Sequence, residues 1–153
     1  MIFYQQGLSG SEVLERANTV VKLAQVTRET TEDVSSQMTA IWNNFADGSK
    51  SLEYYADALT KLGAATAAST DEISKGLSQF AAIADTVGLS YEYAAAGVAT
   101  VVDKTRQSAE TVGNAFKTVF ARIEGLSLGE TLEDGVTLNK YSEALAKVGV
   151  NIL

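Results

Sequence analysis

Three acidic doublets, Glu32-Asp33, Asp71-Glu72 and Glu133-Asp134, and the mixed cluster Asp103-Lys104-Thr105-Arg106 hold the residue types of this chain that could carry chemistry. Two carboxylates flanking a substrate could divide general-acid and general-base work, and a lysine beside an arginine could hold an anionic group. Spacing argues against both. Glu32-Asp33 and Asp71-Glu72 directly follow Thr30-Thr31 and Ser69-Thr70, where first helical turns are expected and a carboxylate favours the helix dipole and closes caps. Lys104 and Arg106 lie two apart, so on a helix they point to different sides and form no common cradle. Across 103–122, Lys104, Arg106, Lys117 and Arg122 stand against Asp103 and Glu110. Their expected role is a solvated helix end and face, with a partner-docking patch as the sharper alternative. Glu133-Asp134-Gly135 lacks the spaced oxygen ligands of a calcium loop. Neither G-x-x-x-x-G-K-[ST] nor G-x-G-x-x-G occurs. Cys and His are both absent, which removes disulfides, thiolate or imidazole metal sites and the usual base of a nucleophilic triad. The chain is therefore expected to be no enzyme, with no catalytic, metal or cofactor-binding residues and no cofactor.

Composition narrows the partners. With 46% hydrophobic and 20% charged residues over 153 positions, the chain can build one ordinary core. A net charge of −7 disfavours binding to nucleic acid or to anionic lipid, both of which need a basic footprint. No apolar run approaches the roughly 20 residues that span a bilayer. The opening Met1-Ile2-Phe3-Tyr4-Gln5-Gln6 has neither the basic nor the apolar region of a signal peptide.

The elements that would position these groups read as helices. Pro is absent, so nothing obliges a helix to break. Apolar residues recur at helical spacing behind fresh cap signals. Ser9 and Glu12 have capping-box spacing ahead of Val13, Ala17, Val20, Val21 and Ala24. Thr30 or Thr31 opens a stripe of Val34, Met38, Ile41, Trp42 and Phe45, stopped by Asp47-Gly48. Ser49 or Ser51 opens Leu52, Tyr55, Ala56, Leu59 and Leu62. Ser69 and Glu72 repeat the capping box before Ile73, Leu77, Phe80, Ala81, Ala84 and Val87, with Gly88 in the position favoured for a left-handed C-terminal residue. Ser90 precedes Ala94, Val98, Val101 and Val102; Ser108 precedes Val112, Ala115, Phe116, Val119, Phe120 and Ile123. In the pairs Tyr54-Tyr55 and Tyr91/Tyr93 one ring must leave the stripe, available to a partner. From Gly125 a loop is expected through Gly129 and Gly135, then a short helix with Leu138, Tyr141, Leu145 and Val148.

The fold expected is all-α, a compact bundle or stacked array of six to seven amphipathic helices. The helical core is expected over 1–124, and 125–153 as a loop plus short helix cut from a longer chain. An echo at an offset of 60 residues aligns Ser9/Ser69, Glu12/Glu72, Ala24/Ala84 and Glu32/Glu92, with Thr30 against Ser90 and Ser51 against Thr111. Two three-helix units, 9–68 and 69–128, would explain it; so would two amphipathic stretches slid into register.

The run from Val101 to Ile123 carries residues that amphipathicity does not dictate: Asp103, Thr105, Arg106, Gln107, Ser108, Gly113, Asn114 and Arg122. It resembles the core region of bacteriophage tail tape measure proteins, phage or prophage. Phe3-Tyr4-Gln5-Gln6-Gly7-Leu8-Ser9, the turn from Ala81 through Gly88 to Ser90, and Leu138–Val150 resemble further parts of that region. The resemblance implies a helical, non-enzymatic virion component that organises tail tube assembly and tail length. It also implies partners among tail tube, tail assembly chaperone and distal tail proteins, self-association, and a place in the tail interior after assembly in the host cytoplasm. The family is many times longer than this chain, so a fragment is expected. A helical interaction domain unrelated to virions is the competing expectation.

Overall fold

Side-chain caps fix where each helix begins. A computed structural model describes residues 9–127, with side chains through 124. Its helices are α1 Gly10–Thr27, α2 Thr31–Phe45, α3 Leu52–Ala65, α4 Thr70–Thr86, α5 Tyr91–Thr105 and α6 Ala109–Ser127. At Ser9, the N–H and hydroxyl donate to the Glu12 carboxylate at 2.9 and 2.6 Å. Glu72 accepts from the Ser69 N–H and hydroxyl in the same way, at 2.8 and 2.9 Å. Thr30, Ser51, Ser90 and Ser108 accept from the amides of Asp33, Tyr54, Tyr93 and Thr111. Each such cap satisfies an otherwise orphaned N–H and contributes about 1 kcal/mol. Thr111, which the offset of 60 pairs with the cap Ser51, is thus a donor inside α6.

Helix ends are equally explicit. Gly88 takes φ 72°, and the Leu89 N–H reaches back to the Ala84 carbonyl at 2.8 Å, a Schellman closure of α4. At the ends of α1 and α5 the left-handed residue is an arginine, Arg28 with φ 62° and Arg106 with φ 56°.

Each helix packs against the next and the next but one, and α4 touches α2, α3, α5 and α6. Trp42, Ile41, Met38, Leu59, Leu77, Phe80 and Val98 lie in the shared core. Its largest polar side chains are paired: Trp42 Nε1 donates to the Leu52 carbonyl at 3.2 Å and the Tyr55 hydroxyl to the Phe45 carbonyl at 2.9 Å. The Tyr91 hydroxyl donates to the Tyr55 carbonyl at 2.5 Å, and burial pushes that phenol's pKa far up. The architecture is an all-α stacked array, with no strand among the described residues. No helix among the described residues is long and apolar enough to cross a membrane.

Three expectations need correction. In α6, Val112 is buried, but Phe116 and Phe120 are half-buried and Ala115, Val119 and Ile123 are exposed. Periodicity marks the apolar face; it does not say how far the neighbouring helix extends along it. In α1 the inner residue is Leu23, with Val21 exposed beside it. Helix α6 also continues past Gly125 to Ser127, since one glycine costs a helix only about 1 kcal/mol. Among the tyrosine pairs, Tyr55 and Tyr91 face inward and Tyr93 is the ring that leaves. The Phe3–Leu8 run, Glu133-Asp134 and the expected helix with Leu138 and Tyr141 lie outside the described residues.

Candidate functional site

Gly63 lets α3 and α4 meet at an abrupt corner. A Cβ there would collide with the Thr70 hydroxyl and lie 2.8 Å from the Thr70 nitrogen. The connecting residues cross over this contact, and Ala67 sits among them with its backbone turned toward the end of α5. Asp103 Oδ1 accepts the Ala67 N–H at 2.8 Å, and Arg106 Nη1 donates to the Ala67 carbonyl at 2.8 Å. One peptide segment is held at both its donor and its acceptor by two side chains of another helix end.

The neighbouring residues place that clamp. The Thr105 hydroxyl donates to the Val101 carbonyl at 2.7 Å and accepts the Gln107 N–H at 3.2 Å. This ends α5 and turns the chain at left-handed Arg106. Ser108 then caps α6. Asp103 Oδ2 pairs with Lys104 at 2.9 Å, so the Lys104 ammonium and then the Ala67 N–H hold the Asp103 carboxyl below its ordinary range. Arg106 is exposed, as a charge at a helix end is expected to be, yet it and partly buried Asp103 also make specific bonds to a distant backbone residue. Alternation of charge cannot reveal a partner that is a backbone amide 36 residues away.

Beyond the turn, α6 crosses α4 backbone against backbone. A Cβ on Gly113 would collide with the Gly76 carbonyl oxygen and come within 2.8 Å of Gln79 Cβ. One on Gly76 would come within 2.8 Å of Val98 and 3.1 Å of the Ala109 carbonyl oxygen. Further along the crossing, Phe80 lies against Phe116 and Phe120, with ring centroids 5.2 and 5.8 Å apart. Gly88 and Ser90 act one helix earlier, setting the start of α5. Asn114 and Arg122 lie on the exposed side of α6, outside the joint. Ala67, Gly76 and Gln79 were not legible as members of it; a glycine inside each of two amphipathic stripes was the available signal.

A second polar cluster ties α3 to α5. The Glu92 carboxylate accepts from Lys50 and, at 2.8 Å, from the Tyr54 hydroxyl, and these bonds lower its pKa to about 2. It borders a cleft of about 340 Å³ lined by Phe45, Asp47, Leu89 and Tyr91. A carboxylate held ionised by two donors is a strut rather than a base. No group of three Asp or Glu among the described residues is placed to hold a metal ion.

Side chains that would otherwise invite a chemical reading here join helix to helix, which is the behaviour of a structural module. The family described as phage-related minor tail protein matches residues 2–152, and the chain belongs to that family. It is a structural, virion-associated component of a phage tail that works among other tail components. The alternative of a domain unrelated to virions is set aside by that membership. No solved structure matches the chain.

Proposed function

We propose that this chain is a segment of a tape measure protein and acts in it as a folded assembly contact rather than as a plain length of ruler. The resemblance of 101–123 to that family supports the first half. The observation that carries the second is the clamp at Ala67: the residues of that same run fold the chain back on itself. On this reading the segment helps organise tail tube assembly and tail length in the host cytoplasm and ends in the tail interior. Its partners are tail tube, assembly chaperone and distal tail proteins, with self-association as a further mode.

In-frame deletion of residues 1–153 from the full gene, read by electron microscopy of tails, tests it. The expected result is blocked or misregulated tail assembly. Viable virions with tails shorter by about 230 Å, the length of 153 residues at roughly 1.5 Å each, would show a plain ruler instead.

A further inference from the structure

The outer end of α6 is left uncovered: Val119 and Ile123 are 51% and 45% exposed, beside half-buried Phe116 and Phe120. A register of 78 residues sets these four against Ile41, Phe45, Met38 and Trp42 of α2, of which Met38, Ile41 and Trp42 are buried. The same register pairs Thr27-Arg28 with Thr105-Arg106. Both arginines are left-handed, both threonine hydroxyls donate to the carbonyl four residues back, and both accept the amide two residues on. It then pairs cap with cap, Thr30 with Ser108, followed by Glu32/Glu110 and Val34/Val112. An offset of 60 also overlays helix on helix, Ser9 on Ser69 and Thr30 on Ser90. The two registers differ by 18 residues, which is five turns at about 3.6 residues each, so any apolar stripe satisfies both. Only the longer one also matches the polar turn.

In the first copy the end of α2 is covered by the start of α3: Trp42 bonds the Leu52 carbonyl, and Tyr55 bonds the Phe45 carbonyl. The sequence of α3 recurs. Leu52, Tyr55, Ala58, Leu59, Lys61 and Gly63 reappear at identical spacing as Leu138, Tyr141, Ala144, Leu145, Lys147 and Gly149. Thr137 stands for the cap Ser51, and Asp134-Gly135 precedes it as Asp47-Gly48 precedes α3. We infer that residues 137–149 are the counterpart of α3 and dock on the uncovered end of α6. The connecting residues 128–136 reach up to about 30 Å when extended, enough to return along the last turns of α6. The repeated units are then 10–63 and 88–149 with α4 between them, in place of 9–68 and 69–128. This assignment does not depend on the tape measure reading.

The chain has no cysteine, so introduced pairs report cleanly. In the full chain at low concentration, Ile123→Cys with Tyr141→Cys should be joined within one molecule by a short bis-maleimide. The pair Leu14→Cys with Tyr141→Cys should not. Hydrogen exchange gives an independent readout: Leu145→Asp should speed exchange of the 119–127 amides roughly tenfold or more while leaving α4 protected. Two results would overturn the inference: links formed only between molecules, which would mean a second copy covers the stripe, or no link together with unchanged exchange.

Discussion

At Ala67 two side chains replace the water that would otherwise solvate one residue's N–H and C=O. A hydrogen bond to a charged group is stronger than a neutral one, though solvent at an exposed position weakens it. Arg106 and Arg28 allow a clean comparison, because both sit in the left-handed region, where a Cβ costs about 1–2 kcal/mol. Arg28→Gly should leave stability roughly unchanged, strain relief offsetting the added chain entropy. Arg106→Gly should lower it by about 1 kcal/mol, because the bond to Ala67 is lost; urea denaturation midpoints check both. Glu92 supplies a pH signature. Its pKa falls from 4.5 to about 2 on folding, through the hydrogen bonds from Lys50 and Tyr54. That contribution is fully present above pH 4.5 and is lost as pH falls through about 2. Its size is reduced by solvent, since both Lys50 and Glu92 are more than a third exposed. Glu92→Gln should therefore flatten the stability profile across that acid range and nowhere else. At this scale the sequence was legible where a residue acts on its own helix, as Ser9, Ser90 and Ser108 do. It was silent where Asp103 and Arg106 reach a backbone far away.

Helix limits and apolar faces could be read from periodicity and caps, because both are local. The depth of each face could not. Phe116, expected on a fully buried stripe, is half-buried against Phe80. Phe116→Ala should accordingly cost about 2 kcal/mol rather than the 3–5 expected of a fully buried phenylalanine. The glycines make the same point. Gly97 and Gly113 look alike in sequence, yet a Cβ at Gly97 meets nothing nearer than the Phe116 ring at 3.6 Å, while one at Gly113 enters the backbone of α4. Gly97→Ala should be neutral or stabilising by up to about 1 kcal/mol, from helix propensity. Gly113→Ala should destabilise by about 2–3 kcal/mol, because α4 and α6 must separate. Thermal melts of the two variants side by side check the contrast.

On the scale of the whole chain, helices of 14 to 19 residues, each freshly capped, gain most of their stability from packing rather than from propensity. The corners at Gly63, Gly88 and Arg106 turn each helix back onto its predecessors, so the array is a consequence of those turns. The family match covers nearly the whole chain, and what the fold adds is that the family-like run around Arg106 builds one of the corners. This phage tail chain is a folded array and not an extended rod. Small-angle X-ray scattering from the monodisperse 153-residue chain distinguishes the two. The array predicts a radius of gyration of about 15–20 Å, close to that of a globular chain of this length. A single continuous helix about 230 Å long would give about 66 Å, and a value near that figure would rule out the folded array.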